Sequence, residues 1–193
     1  MARPKGFLPD QALERAMDLF WKQGYEASSI EDILQSTGLG RGSLYDTFGD
    51  KHALYLAALD RYCVTFGGKL TPLRQQSGSV RDSFQSFFQE LIEEALADSE
   101  HRGCFLVNAA MEMAPHDPDV MSRVQAGLDG TREAFYHVLV KAQAAGELDW
   151  TYDPHQLAHY LLNAYLGLRV LSRARPDRRF LEDIVKTTLS VLS

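Results

Sequence analysis

The segment from residue 28 to residue 54, SSIEDILQSTGLGRGSLYDTFGDKHAL, limits the possible fold more than any other part of the sequence. Hydroxyl side chains at Ser28 and Ser29, with a carboxylate three residues further on, predict the capped start of a helix. Gly38 suits the left-handed residue that ends such a helix, and Gly40 can begin the next one. The pattern therefore predicts two short helices joined by a tight turn, with a third helix directly behind them.

The second short helix, RGSLYDTF, has one apolar side and one polar side. Leu44 and Phe48 are one helical turn apart and should anchor the helix inward. Gly42 would let the backbone come close to a ligand. The side chains left to face outward are those of Arg41, Ser43, Tyr45, Asp46 and Thr47.

The helix behind this pair begins with Gly49, Asp50 and Lys51, the pattern of a cap followed by a first-turn lysine. At such a position the free backbone amides, the helix dipole and the ammonium group can all meet one phosphate. We therefore expect Lys51 to bind a DNA backbone, and the preceding helix to read bases.

This segment resembles the N-terminal DNA-binding domain of the TetR family of bacterial transcription regulators, with LYDTFGDK at the position of the family's recognition helix and lysine. The resemblance covers about residues 9–60, including Ala12, Ala16, Phe20 and Gly24-Tyr25, while the remainder matches only in helical layout. Asp46 and Thr47 depart from the family pattern, which commonly has an aromatic or basic residue and a histidine there. The resemblance implies base or groove contacts from Arg41, Gly42, Ser43, Asp46 and Thr47, and phosphate contacts from Ser29, Tyr45 and Lys51.

The overall charge is unusual for a DNA-binding protein, because 20 Lys and Arg residues face 26 Asp and Glu residues, giving a net charge of −6. Residues 1–60 alone contain six cations and nine acids. What matters for binding is where the charges lie, and Arg3, Lys5, Arg41 and Lys51 could share one face. We therefore expect few phosphate contacts and a strong dependence of DNA affinity on salt.

Composition and targeting signals indicate a cytoplasmic protein. The hydrophobic fraction of 45% is ordinary, and no apolar run resembles a signal peptide or a membrane span. Cys63 and Cys104 are too few and too far apart in sequence to suggest a disulfide framework.

Every segment has helical periodicity, so we predict an all-α fold of about nine helices. We expect residues 1–50 to form a helix-turn-helix DNA-binding domain and residues 51–193 to form a helical ligand-binding and dimerisation domain. Asp-Pro pairs predict the starts of two long helices, because aspartate caps a helix and proline suits its first turn. The predicted helices are 9–23, 29–37, 41–47, 50–66 with a break at Gly67-Gly68, 80–97, 103–113, 118 to about 146, 154 to about 173, and a last helix opening at Pro176.

Leucines in the penultimate helix recur at spacings of four and three, the seam of a helix packed lengthwise against others. Much of this seam could be plain core. Paired with the last helix, it resembles the helix pair through which the TetR family forms a homodimer by a four-helix bundle. The expected dimer interface is Leu157, Leu161, Ala164, Leu168, Leu171, Leu181, Ile184, Val185 and Leu189.

The middle helices carry many aromatic and methionine residues, a composition suited to enclosing an apolar small molecule or simply to forming core. By resemblance, a small-molecule inducer of unknown identity would bind there and shift the helix that begins at Asp50, releasing double-stranded operator DNA. The candidate pocket residues are Phe84, Phe88, Cys104, Asn108, Met111, Tyr136, His137, Tyr160 and Asn163.

Cys104 opens a second possibility for the inducer. It lies at the expected start of a helix beside His101 and Arg102, where amides and nearby cations could activate its thiol. The stretch GCFLVN also resembles a TetR subgroup in which some members sense reactive compounds. Cys104 is therefore either an electrophile or oxidant sensor or an inert buried cysteine.

Other chemistry is not indicated by the sequence. His155 and His159 are four residues apart, but no third metal ligand is close in sequence, so we expect no metal site. No cofactor fingerprint, phosphate-binding loop or nucleophile motif is present, so we expect neither a cofactor nor an enzyme. The alternative to a repressor is a helical enzyme or protein-interaction module that merely contains a three-helix unit.

Overall fold

The computed structural model describes residues 9–75 and 78–192, and within these ranges every regular element is helical. Arg3 and Lys5, expected to contribute to a basic face, lie outside the described residues. A 3-10 turn at Leu189–Leu192 ends the described chain. The helices are α1 (Pro9–Gln23), α2 (Ile30–Thr37), α3 (Arg41–Phe48), α4 (Lys51–Gln75), α5 (Val80–Ala97), α6 (Phe105–Glu112), α7 (Pro118–Ala144), α8 (Pro154–Ala174) and α9 (Arg178–Thr188).

Helices α1 to α3 pack on the first turns of α4. Ala16 and Phe20 of α1, Ile33 of α2 and Leu44 of α3 are all buried. The ring of Phe20 meets that of Tyr55 on α4 edge to face, with 5.1 Å between centroids. Helices α1 to α3 are therefore fixed to α4, the long helix that continues into the rest of the protein.

Helix α4 is longer than the sequence pattern predicted, because it runs through Gly67-Gly68 and through Pro72 to Gln75. The predicted break at the glycine pair is wrong. Each interior glycine costs a helix about 1 kcal/mol relative to alanine. Leu70 and Leu73 lie beyond the pair and are buried, and burying a leucine contributes about 2 kcal/mol. Tertiary packing thus outweighs the local preference for a break.

The predicted helix starts at the two Asp-Pro pairs are confirmed. The side chain of Asp117 accepts hydrogen bonds from the amides of Asp119 and Val120, and that of Asp153 accepts one from the amide of His155. The last helix begins later than expected, because Asp177 rather than Pro176 provides its cap. Helix α6 also starts slightly late, with Cys104 as its N-cap residue.

The centre of the larger helical part is an aromatic cluster. Phe84 packs edge to face on Phe135, and Phe87 contacts Phe135 and Tyr165. Phe84 and Phe88 are fully buried within this core. They fill space between helices, and neither lines the cavities described below.

The leucine seam of α8 also faces inward. Leu157, Leu161 and Leu168 are buried in the protomer, as are Leu181, Val185 and Leu189 of the last helix and turn, while Ala164 and Ile184 are half-buried. Only Leu171 of the expected dimer interface is exposed. The seam is covered by neighbouring helices of the same chain, so these buried side chains are not available to a partner. Although α8 contains a long apolar stretch, no described helix is long and apolar enough to cross a membrane.

Two glycines of α7 offer a test of this packing. A Cβ atom at Gly130 would meet nothing within 4 Å, whereas one at Gly127 would lie 2.6 Å from Leu106 Cδ1 and 3.0 Å from Cys63 Sγ. Gly130→Ala should therefore raise the free energy of unfolding by about 0.5–1 kcal/mol, the usual gain for replacing a helical glycine. Gly127→Ala should be less stable than Gly130→Ala by about 1 kcal/mol or more, because overpacking costs about 1–3 kcal/mol. Urea unfolding at one protein concentration measures both, and equal stability of the two variants would contradict the α6–α7 packing.

Candidate nucleic-acid interface and regulatory cavity

Helix α2 begins with a capping box one residue later than the sequence suggested. The Asp32 amide donates to the Ser29 hydroxyl at 3.1 Å, and the Ser29 amide donates to the Asp32 carboxylate at 2.9 Å. Hydrogen bonds that the Asp32 carboxylate accepts from the Ser29 hydroxyl, at 2.7 Å, and from the Ser29 amide lower the pKa of Asp32. The buried Ser28 hydroxyl instead donates to the Gly24 carbonyl at 2.6 Å. Ser29 is thus exposed at a helix start, where free amides favour a phosphate.

The turn between α2 and α3 has the expected geometry. Gly38 has a φ of +71°, the left-handed conformation that suits glycine, and its amide donates to the Leu34 carbonyl at 2.9 Å. Leu39 is buried beneath the turn, and Gly40 is the N-cap residue of α3. This geometry fixes the angle at which α3 is presented.

Helix α3 turns its polar side outward, as predicted. Leu44 is buried, and Phe48 is half-buried beside the core. Thr47 is half-buried, so it is less accessible than the other polar residues of the helix. Arg41, Gly42, Ser43, Tyr45 and Asp46 are exposed.

The two cations at this surface already have partners. Arg41 donates to the Glu31 carboxylate at 2.5 Å, and both side chains are more than half exposed. The Lys51 ammonium lies 4.2 Å from the centroid of the Tyr25 ring, a cation–π contact. Both interactions are at the surface, where such contacts are worth about 1 kcal/mol or less. A phosphate or a base can therefore compete for these groups.

A cavity of about 470 Å³ lies between the end of α1, helix α6 and the second half of α8. Of the expected pocket residues, it brings together Cys104, Asn108 and Met111. A second cavity lies next to it, at the 97–103 loop. Neither cavity is lined by the other six expected pocket residues, which are Phe84, Phe88, Tyr136, His137, Tyr160 and Asn163. Tyr136 stacks on His155 at 4.1 Å between centroids, and His137 is paired with Glu133 at 3.3 Å. Tyr160 and Asn163 are exposed on α8.

The two cysteines differ in their surroundings. Cys104 is buried at the wall of the cavity, and the Tyr62 hydroxyl lies 3.5 Å from its Sγ atom, as a donor. Cys63 is half-buried on α4, where burial and the negative charge of Asp60 raise the pKa of its thiol to about 11. The thiol of Cys63 is therefore mostly protonated at neutral pH, whereas Cys104 lines the cavity.

Glu112, the last residue of α6, joins the cavity to the DNA-reading helices. Its carboxylate accepts hydrogen bonds from the backbone amides of Tyr25 and Glu26 in the α1–α2 turn, at 3.1 and 2.9 Å. Gly24 beside them has a φ of +87°, and a Cβ there would lie 2.7 Å from the carboxylate. A glycine is thus required for this approach. We call these two hydrogen bonds the Glu112 contact.

Further ion pairs connect the same two regions. Arg102 pairs with Asp18 at 3.0 Å and stacks over the Trp21 ring at 4.3 Å, and Lys22 pairs with Glu100 at 2.5 Å. Sequence reasoning missed these ion pairs and the role of Glu112. Nothing in the sequence pairs positions more than 70 residues apart, so no local signal could have found them.

A third connection lies at the start of α4, where the His52 ring meets Asp117 at 2.6 Å. Asp119 is close enough to complete a group of three potential metal ligands. Burial raises the pKa of Asp117, but hydrogen bonds from the Val120 amide and from His52 outweigh it and lower the pKa. Because Asp117 is already the cap of α7, the arrangement is accounted for as a structural connection between α4 and α7.

The exposed helix α3 and the tight glycine-bounded turn before it are the arrangement of a helix-turn-helix DNA-binding protein. Two family models match the chain: bacterial regulatory proteins of the tetR family at residues 12–58, and the tetracyclin repressor-like C-terminal domain at residues 85–188. The chain belongs to the TetR family, and it is a helix-turn-helix transcription regulator.

Individual relatives agree with this assignment. The chain is 36% identical to the uncharacterized HTH-type transcriptional regulator YezE of Bacillus subtilis, over the whole of both chains. It is 31% identical to the HTH-type transcriptional repressor ComR of Escherichia coli, covering 97% of this chain and 90% of ComR. Among solved structures, a cysteine mutant of the TetR family regulator CifR complexed with 26-bp operator DNA has a TM-score of 0.89 and 28% identity, covering 98% of each chain.

The Glu112 contact gives a measurable expectation. In Glu112→Ala, the amides of Tyr25 and Glu26 should exchange with solvent about ten-fold faster or more, because a hydrogen bond to a charged acceptor contributes about 1.5–3 kcal/mol. Amide hydrogen exchange measured by NMR gives the two rates. Glu133→Ala on α7 is the control and should leave them unchanged. Unaltered exchange at both amides in Glu112→Ala would show that the carboxylate does not hold the turn.

Proposed function

We propose that the protein is a repressor that binds an inverted-repeat operator as a homodimer, and that an inducer in the cavity beside Cys104 releases it. Binding rather than catalysis is its activity. The observation that carries the proposal is the outward polar side of α3, held by buried Leu44 and by the capped turn before it. Residues 1–50 would form the reading domain and residues 51–193 the sensing and dimerisation domain. The CifR mutant described above was solved in complex with double-stranded operator DNA, which supports double-stranded DNA as the partner.

In this proposal α3 lies in the major groove. Its exposed residues Arg41, Gly42, Ser43 and Asp46, with half-buried Thr47 at the edge, would contact base edges. A guanidinium pairs best with guanine and a carboxylate with the amino group of cytosine, so Arg41 and Asp46 would contribute the most base discrimination. Arg41 must first leave Glu31.

Phosphate contacts would come from Ser29, Tyr45 and Lys51, which lie at the start of α2, on α3 and at the start of α4. Tyr45 is 39% exposed, enough for its hydroxyl to reach a phosphate. Two helix starts flanking one recognition helix are a common way to fix a helix-turn-helix on the backbone.

The homodimer needs an exposed surface, and of the leucine seam only Leu171 is exposed. We propose instead the outer side of α8 with the adjoining part of α6. A groove of about 400 Å³ there is lined wholly by apolar residues, among them Ala110, Met111, Gly167, Val170 and Leu171. Met111 and Val170 are largely exposed in the protomer, and a second copy would cover them. Two reading helices held about 34 Å apart could then bind successive turns of the duplex.

Induction would use the connection between the cavity and the reading helices. A ligand that prefers a displaced α6 would weaken the Glu112 contact, and the α1–α2 turn with α2 and α3 would lose its fixed position. The mechanism is a shift between two populations, so the ligand must bind the DNA-incompetent state more tightly.

Two kinds of inducer fit Cys104. A reversible ligand would fill the cavity, whereas an electrophile would bond to Sγ; the position of the thiol at the cavity wall is compatible with both.

After brief treatment with an electrophile such as N-ethylmaleimide, mass spectrometry locates the modified cysteine while DNA binding is followed in parallel. For a thiol sensor we expect modification of Cys104, but not Cys63, to accompany the loss of binding. Loss of binding with Cys104 unmodified would contradict this route.

The roles of the two cations can be separated by DNA affinity. Lys51→Ala should weaken binding to all sequences alike and reduce the dependence of log K on log salt by about one unit, whereas Arg41→Ala should cost about 1–3 kcal/mol and relax base preference. Fluorescence anisotropy on operator and scrambled duplexes, over a series of salt concentrations, measures both effects. Lys186→Ala at the end of α9 is the control. Equal losses on every duplex for Arg41→Ala would refute its role in base recognition.

The dimer surface can be tested with a charge. Leu171→Glu should shift the protein toward monomer, because an unpaired carboxylate would be buried between the copies. Val64→Glu, at a largely exposed valine of α4, is the matched control and should leave the mass unchanged. Light scattering coupled to gel filtration gives the mass. A wild-type protein that is monomeric, or a Leu171→Glu variant that dimerises normally, would argue against this surface.

A further inference from the structure

Arg169 is an unusual arginine. It lies on α8 with only 7% of its surface exposed. One terminal nitrogen donates to the Gly103 carbonyl, but Nε is buried without a hydrogen-bond partner. Among the described residues no carboxylate forms an ion pair with it, whereas Arg41, Arg61, Arg102, Arg123, Arg132 and Arg178 each have one. A buried charge without a counterion is costly, so this position calls for an explanation.

A second buried donor without a partner lies at the same cavity. The indole Nε1 of Trp21, at the end of α1, has no hydrogen-bond partner, and both Trp21 and Arg169 line the space beside Cys104. Both nitrogens can only donate. An occupant of the cavity that satisfies them must therefore bring acceptors.

The remaining walls define the rest of such an occupant. Val107, Met111 and Val170 supply apolar surface. The lining holds two further cations, Lys22, which pairs with Glu100, and Arg173, which donates to Asn108 at 2.9 Å. The one acid in the lining is Glu112, and its oxygens are engaged with the amides of Tyr25 and Glu26. No wall carboxylate is thus free to neutralise Arg169.

We propose that this cavity binds a small organic monocarboxylate, with its carboxylate at Arg169 and Trp21 and its apolar body against Val107, Met111 and Val170. A guanidinium matches the planar geometry of a carboxylate, and the cavity volume of about 470 Å³ lies in the range of small-molecule sites. Occupancy requires no reaction at Cys104. The inference rests on the proposed function only for its consequence, which is that the bound acid acts on α6 and the Glu112 contact.

The test compares acids with their uncharged amides. The chain has two tryptophans, and Trp150 is 75% exposed, so Trp150→Phe leaves Trp21 as the only fluorophore of its kind. In this variant, at constant ionic strength, hexanoate and cyclohexanecarboxylate should change the Trp21 emission saturably, while hexanamide and cyclohexanecarboxamide should not. No saturable change with either acid, or equal binding of acids and amides, would overturn the proposal.

Substitution of the arginine gives the second measurement. By titration calorimetry on DNA-free protein, Arg169→Gln should weaken the binding of the better acid at least ten-fold, about 1.4 kcal/mol. Arg178→Gln is the control, because Arg178 is paired with Glu93 on the protein surface, away from the cavity. Undiminished affinity in a folded Arg169→Gln variant would contradict the assigned contact. If circular dichroism shows that this variant is unfolded, the acid and amide comparison decides alone.

Operator release is measured separately, so that the site and the proposed function can fail independently. Calorimetry without DNA reports on the site, and anisotropy of labelled operator reports on regulation. An acid that binds and releases operator supports both. An acid that binds without releasing operator supports the site and contradicts its regulatory role, whereas absence of operator binding by the free protein contradicts the repressor function alone.

Discussion

In the proposed function, the rest of the structure depends on the Glu112 contact, which joins the cavity to the turn before the helix-turn-helix. Helix α6 lines the cavity along its length and ends in the carboxylate that holds the Tyr25 and Glu26 amides. Hydrogen bonds weaken steeply with distance and angle, so a small displacement of α6 is enough to lose them. The α1–α2 turn leads directly into the helix-turn-helix, and a contact of two hydrogen bonds is small enough for one ligand to overcome.

The positive charges of this protein lie at single positions and do not form a basic domain. The net charge is −6, and Arg41 and Lys51 are held in the free protein by Glu31 and by the ring of Tyr25. In the proposed function DNA must replace these contacts, which would limit nonspecific binding and leave discrimination to a few base contacts. The buried Arg169 differs from these two cations, because it has no acidic partner among the described residues.

Local sequence signals were sufficient to predict the helix-turn-helix and most helix boundaries. Residues within one or two helical turns of each other decide the Gly38 cap, the burial of Leu39 and Leu44, the exposed side of α3 and the two Asp-Pro helix starts. Where distant packing competed with local preference, the sequence prediction was wrong. Gly67-Gly68 did not end α4, because Leu70 and Leu73 are buried against other helices. The cap of α2 fell on Ser29 rather than Ser28, whose hydroxyl is used by the preceding turn.

The sequence by itself determined the all-helical fold, the helix-turn-helix and the side of α3 that faces outward, because periodicity and capping are properties of neighbouring residues. Only the tertiary structure decided which apolar surfaces remain open. Periodicity shows that a helix side is apolar but not whether the same chain or a partner covers it, so the leucine seam of α8 proved to be core. The tertiary structure also decided that one cavity is surrounded by Trp21, Cys104, Glu112 and Arg169, since residues up to 148 positions apart meet only when the helices pack.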